Sequence, residues 1–352
     1  MEQKPCINSL SPMKQKSVFI RIDKIGDLIA TLPVDQADFL RDHEVHWVIN
    51  SQVTSVMSLA KIKRLSWSID LGNRWKSFWK LIAFLKKNST QRVIIFYGPW
   101  WVSLATLFAK VPIRIGRRSQ WHSYRFLNKS LRQSRSLSER HESSYNWKLL
   151  HFAFDQPVDL TSPAPLLTFK VAEDKALLKK FDLNSKAYVV VHPGMAGSSL
   201  NWPQNSYNSL IENLIQFTDV VITGTENDSE WLTKILPLWK DHKKVHVLVG
   251  LLTMEDLVFI LKNASVVVAP STGIIHLAAA TEVPVVGLFS PLRSQHPRRW
   301  GPRGNNSRTL LPKVQCPAKS QCLRENCEYN FCMYKITPAE VLKEIQSFIR
   351  VP

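Results

Sequence analysis

Long apolar runs are missing from this 352-residue chain. No stretch approaches the roughly 18 uninterrupted apolar residues of a membrane-spanning helix, which argues against an integral membrane protein. The first residues, MEQKPCINSLSPMKQKSVFI, lack an apolar segment followed by a small-residue cleavage site, so no secretory signal is read there. Neither a short internal repeat nor a low-complexity tract is present. Acidic residues are scarce: 28 Asp and Glu stand against 46 Lys and Arg, a net charge of +18. That excess favours an anionic partner, whether nucleic acid, anionic lipid or a phosphorylated substrate, without choosing among them. What remains is a globular composition, 45% apolar and 21% charged, with 12 Trp and 16 Phe, too aromatic for a disordered chain. The expectation is a cytoplasmic protein, soluble or peripheral to a membrane, with two domains at about 100–200 residues each. Cys6 stands alone, whereas Cys316, Cys322, Cys327 and Cys332 fall within 17 residues. Cytoplasmic thiols stay reduced unless a metal holds them.

Short β-branched runs recur along the chain, at 17–22, 44–49, 92–97, 188–191, 219–223, 245–249, 264–269 and 283–288. Nearly continuous apolar strands are buried on both faces, as in a parallel sheet covered by helices. Between them lie segments with helical spacing, such as 205–216 and 254–262. The pattern predicts an α/β protein of two Rossmann-like domains facing across a ligand cleft at the strand C-terminal ends. The segment 156–170, with three prolines and no helical period, reads as a linker. The expected domains are 1–160, 170–335 and a C-terminal helix within 336–352. That helix should start with Thr337 as N-cap, Pro338 at the first position and Glu340 closing a capping box.

Three loops after strands carry candidate chemistry. The first, RIDKIGDLIATLP (21–33), has one glycine, so it is not a dinucleotide fingerprint. Its Gly26 would let backbone approach a ligand, and Asp27 stands where a helix begins, as an N-cap or as a group facing the cleft. The second, HPGMAGSSLNWP (192–203), offers Gly194, Gly197, Ser198 and Ser199, either a phosphate-binding loop of free amides or an ordinary turn. The third, VVVAPSTGIIHLAAA (266–280), ends a strand in Ser271, Thr272 and Gly273 and starts a helix with His276 in its first turn. Hydroxyls and amides at a helix N-terminus favour an anion such as a diphosphate. A histidine beside an apolar stripe is equally at home as a structural residue.

In order and spacing, RIDKIGDLIATLP, HPGMAGSSLNWP, ITGTENDSE and STGIIHLAAATEVPVVGLFSP resemble the bacterial lipopolysaccharide heptosyltransferases, glycosyltransferase family 9. The resemblance runs from about residue 17 to 345. It implies a GT-B fold and an inverting, metal-independent transfer without a cofactor. The donor it implies is a nucleotide sugar, typically ADP-heptose, and the acceptor an inner-core sugar of lipopolysaccharide or Kdo–lipid A at the cytoplasmic face of the inner membrane. It further implies Asp27 as general base, Glu226 as a ribose ligand, and Thr272, Gly273 and His276 at the donor; Gly194, Gly197, Ser198, Ser199 and Ser271 join the donor candidates from the reading of their loops alone. Leu200 and Ser271 stand where several members carry Lys and Asp. Two rival functions are another GT-B nucleotide-sugar enzyme, such as an epimerase, and a non-enzymatic binder of anionic lipid or polymer.

Two basic segments fit anionic acceptors. Residues 114–148 hold nine Lys and Arg against Glu139 and Glu142, interleaved with aromatics. Arginine forks pair with carboxylates and phosphates, so Arg117, Arg118 and Arg125, with Lys24 and Gly26 beside Asp27, are the candidate acceptor-binding residues. No RNA- or DNA-binding motif accompanies them, and no nucleic-acid partner is expected. RWKSFWKLIAFLKK (74–87) is basic and amphipathic, suiting either an anionic membrane surface or a packing helix with a solvated face. The cysteines read C-x5-C-x4-C-x4-C, unlike the C-x2-C pairs of common zinc ribbons, which weakens a metal reading. The resemblance, whose family carries similar Cys-rich segments, implies a structural role for them, with a structural metal as the lesser alternative.

Overall fold

The computed structural model describes residues 15–158, 165–194, 200–318 and 321–349. The first half alternates β1 (Gln15–Arg21), α1 (Ile25–Ile29), β2 (His43–Asn50), β3 (Leu65–Ile69), α2 (Arg74–Lys87), β4 (Arg92–Tyr97), α3 (Trp100–Phe108), β5 (Ile113–Arg117), α4 (Trp121–Phe126), β6 (Lys129–Leu131) and α5 (Glu142–Ala153). The principal elements of the second half are β7 (Tyr188–Val191), α6 (Gln204–Leu214), β8 (Asp219–Ile222), β9 (Val245–Val247), α7 (Met254–Asn263), β10 (Val266–Pro270), α8 (Gly273–Ala280), β11 (Val285–Leu288), α9 (Pro297–Trp300), β12 (Ser307–Leu310) and α10 (Pro338–Gln346). Strand order is β3-β2-β1-β4-β5-β6 in one sheet and β12-β11-β10-β7-β8-β9 in the other. The strand pairs within both sheets are parallel, and the two orders are one topology read from opposite edges.

The eight apolar runs all become strands. β3, β5, β6 and β12 come in addition, and they are short and partly polar; β3, β6 and β12 close sheet edges, where water meets one side. Central strands are buried along their length, with Phe19, Trp47 and Phe96 packed ring against ring at 5.4–6.0 Å. The expected start of the last helix is observed: Glu340 N–H donates to Thr337 Oγ1 at 3.2 Å, and Thr337 N–H donates to Glu340 Oε2 at 3.0 Å. α10 lies against α6, and Trp202 Nε1 donates to Ile336 O at 2.8 Å, tying this tail to the second sheet.

The halves meet along three lines. α1 packs on α8. Thr168–Lys170 hydrogen-bonds both halves: Lys61 N–H donates to Thr168 O and Lys170 N–H to Leu59 O, each at 2.9 Å, while Phe169 N–H donates to Ala280 O at 3.0 Å. The third line joins α9 and the residues after it to α5, through Arg299 on Glu142, Arg303 on Ser143 and His141 on Gly301 O. Among the described residues, no helix is long and apolar enough to cross a membrane.

Candidate active site

β1 and β10 each end where a helix starts, so α1 and α8 bring their N-termini to the same cleft. A cavity of about 260 Å³ lies between them, lined by Lys24, Gly26, Asp27, Ser271, Thr272, Gly273 and His276. Ser294, Gln295 and Trp300 complete its wall from the segment around α9. Residues separated by the length of the chain thus form one site. The two helices interlock through glycines. A Cβ on Gly26 would stand 2.7 Å from His276 Cδ2, and one on Gly273 would stand 3.1 Å from Ile25 Cβ. The space beside Gly26 is therefore filled by an imidazole of the other half. Thr272 caps α8, its Oγ1 accepting from Ile274 N–H at 3.4 Å. Burial pushes His276 down to about 4, with Asp27 opposing, so the ring is neutral near pH 7.

Asp27 is not the helix cap. Lys24 is the N-cap of α1, and Asp27 occupies the first turn with its carboxylate turned to Arg21. The reason is the buried Arg21 guanidinium at the end of β1, which needs compensating charge. Its Nη2 donates to Asp27 Oδ1, its Nε to Asp23 Oδ1 at 2.7 Å and its Nη1 to Glu142 Oε1 at 3.2 Å. Glu142, fully buried at the start of α5, also takes Arg135 and, from the other half, Arg299 at 3.0 Å. These arginines, with Arg117 nearby, outweigh burial and hold the Glu142 carboxyl below the usual carboxylate range. Burial pushes Asp23 up to about 7, with Asp27 adding and Arg21 opposing. Four guanidiniums thus surround three carboxylates in a buried cluster that meets the cavity at Asp27, while Lys24 lines the cavity wall.

The other expected residues divide. Arg117 belongs to this cluster and stacks over Tyr97, 5.6 Å from the ring centroid. Arg118 and Arg125 are exposed beside α4, with Arg118 over Tyr124 at 4.8 Å, and, like Arg117, they do not line the cavity. Glu226 is exposed just beyond β8, two strands along from β10. Gly194 packs against Asp228, whose carboxylate a Cβ there would strike. Asp228 Oδ2 accepts from Thr225 N–H at 2.8 Å and Oγ1 at 2.7 Å, fixing the loop after β8. Gly197, Ser198 and Ser199 lie outside the described residues. Leu200 faces a separate apolar cavity of about 320 Å³, shared with Cys316, Cys322, Cys327 and Cys332. Among the described residues no three His, Cys, Asp or Glu are arranged to hold a metal. Arg21, Asp23, Glu142, Arg135, Arg299 and Asp228 were not singled out from sequence. For Asp228 a signal existed, the Thr-x-x-Asp capping spacing.

The family model for glycosyltransferase family 9 (heptosyltransferase) matches residues 78–330. A Haemophilus influenzae protein assigned as a glycosyltransferase is 26% identical over 349 residues, 96% of this chain and 97% of that one. Lipopolysaccharide heptosyltransferase 2 of Salmonella typhimurium is 25% identical over 280 residues, 75% of this chain and 77% of its own. The structure of the Escherichia coli ADP-heptose lipopolysaccharide heptosyltransferase II superposes with a TM-score of 0.75 at 19% identity, over 95% of this chain and 98% of that one, in keeping with a GT-B fold. With the family model covering well over half of its residues, this chain belongs to glycosyltransferase family 9, the heptosyltransferases.

Proposed function

We propose that the protein transfers a heptose from ADP-heptose to an inner-core sugar of lipopolysaccharide, with inversion, at the cytoplasmic face of the inner membrane. The observation that carries this reading is the meeting of Asp27 with the capped N-terminus of α8 across one cleft. In the proposed step an acceptor hydroxyl attacks the anomeric carbon while Asp27 takes its proton. The bond from that carbon to the diphosphate breaks, and the sugar stereochemistry inverts. Charge growing on the diphosphate meets the amides at the start of α8 and Lys24 in the cavity wall, so the chain itself supplies the stabilisation a metal would give. Arg21 fixes one oxygen of Asp27, and the carboxylate keeps 20% exposure toward the cleft. Glu226 would read the ribose from the end of β8, two strands along, and Ser271 the sugar hydroxyls. Lys24 and Arg117 would meet acceptor carboxylates or phosphates.

The supporting relatives are named for heptosyl transfer to lipopolysaccharide. The test is incubation of purified protein with ADP-heptose and Kdo–lipid A or a heptosylated core, followed by mass spectrometry. Addition of one heptosyl unit, dependent on Asp27, is the expected outcome. Hydrolysis or epimerisation of donor without acceptor would displace the reading.

A further inference from the structure

Between Leu71 and Ser138 the chain carries fourteen Lys and Arg and not one Asp or Glu. That stretch spans α2, β4, α3, β5, α4 and β6. α2 packs beside α3, and α3 beside α4, so the three helices form a continuous layer on the first half. Its outer surface is aromatic. Trp75 and Trp79 are each 60% exposed, Phe108 52%, Trp121 62% and Tyr124 58%. The rings are joined underneath: Phe78 lies 6.2 Å from Trp75, 5.2 Å from Trp79 and 5.9 Å from Phe108, and Trp100 lies 6.3 Å from Trp121. Cations stand directly over two of them, Arg74 on Trp75 at 5.4 Å and Arg118 on Tyr124 at 4.8 Å. Along the next stripe of α2, Lys76, Lys80 and Lys87 line an open groove of about 780 Å³. The acidic residue in its wall, Asp70, is engaged by Gly72 N–H at 2.9 Å.

A purely solvated basic face has no use for exposed indoles, and so large an aromatic surface marks a contact. A second copy of the same face would set the five Lys and Arg of α2, with Arg118 and Arg125, against the same seven. Single-stranded nucleic acid stacks its bases on aromatics set along a basic groove, whereas Trp75 and Trp79 stand one turn apart on the outside of a helix. Indole and lysine side by side are the pair that favours a bilayer interface, where the ring enters the headgroup layer and the ammonium meets phosphate. We propose that the α2–α3–α4 face docks on an anionic lipid bilayer, with Trp75, Trp79 and Phe108 entering the headgroups and Lys76, Lys80 and Lys87 pairing with phosphates. β4 and β5 run toward the cleft, so the starts of α3 and α4, with Trp121, lie on its rim. A docked molecule holds its cleft close to the lipid. This deepens the membrane part of the proposed function and rests on it only for the reason that a surface is needed.

The experiment is flotation of the full chain with vesicles of phosphatidylglycerol and phosphatidylethanolamine, beside vesicles of phosphatidylcholine. Strong preference for the anionic vesicles is expected, weakened by salt. Trp75→Ser with Trp79→Ser leaves the charge unchanged and should weaken binding about tenfold, with an unchanged melting temperature. Lys76→Gln and Lys80→Gln should each cost about fivefold. The paired tryptophan variant should still glycosylate a lipid-free acceptor at the wild-type rate. Vesicle binding without any transfer activity also supports docking and counts only against the proposed chemistry. Undiminished binding by the tryptophan variant overturns the proposal. So does tighter binding to a single-stranded oligonucleotide than to anionic vesicles.

Discussion

Arg21 holds three carboxylates at once, and this decides what substitution at Asp27 does. Asn would serve nearly as well as Asp at a helix cap, but Asp27 is not the cap; it is a counter-charge to a buried guanidinium. Asp27→Asn should therefore lower turnover by roughly 10²–10⁴ through loss of the base. It should also cost about 1–3 kcal/mol of stability through the weakened charged hydrogen bond. Transfer assays beside thermal melting on one preparation check both, and donor affinity by calorimetry should stay near wild type. Unchanged turnover would remove Asp27 from the chemistry. A second prediction uses the interlock. Gly26→Ala drives a methyl into the His276 ring, so its cost in stability should shrink in a His276→Ala background, a coupling that a double-mutant cycle reads directly. Asp27, Thr272, Gly273 and His276 were legible because each stands in a short motif after a strand. Glu142 was not, because its partners Arg21 and Arg299 are 121 and 157 residues away. Nothing local in one sequence pairs them.

At the scale of elements, the continuous apolar runs declared the central strands, and the hidden ones share a physical reason. β3 exposes most of its residues at a sheet edge, β6 spans three residues, and β5 alternates isoleucine with arginine and glycine. An edge or part-exposed strand needs no double-sided apolar run, so the pattern that finds its neighbours passes it by. The cap of α10 was visible, since Thr before Pro with Glu three residues on is a local signature. Thr337→Ala should cost about 1 kcal/mol, because it removes a reciprocal capping pair and nothing else. Thr272→Val should cost a similar amount and in addition weaken nucleotide-sugar binding, since the same cap borders the cleft. Gly273→Val is a poorer probe of the donor, because its side chain would press on Ile25 across the two halves. Melting curves with and without nucleotide sugar separate the two threonines.

For the whole molecule, buried charge sets a pH dependence whose sign follows from four groups. Burial holds His141, His192 and His276 at about 4, so the native state binds fewer protons than the unfolded chain as pH falls below about 6.5. Asp23, pushed up to about 7, works the other way by one proton. Three minus one leaves a net two protons, so stability should climb from about pH 4.5 to 6.5, by at most roughly 2–3 kcal/mol per pH unit, and flatten above about 8. The contribution of Glu142 is complete above about pH 4.5 and is lost as the pH falls further. A melting series across this range is the check, and a flat profile between 4.5 and 6.5 contradicts the assignment. Glu142→Gln should cost about 3–5 kcal/mol, because it strands buried arginines from both halves.

The shared strand order has a practical consequence. Both sheets direct their strand C-terminal ends at one cleft, so the turns that lead into the strands face away from it. Gln91, just before β4, and Ser185, just before β7, are exposed at such turns, one in each half. A pair of dyes at these positions would act as a molecular ruler, registering any change of the cleft as a change in energy transfer while leaving every group that lines it untouched.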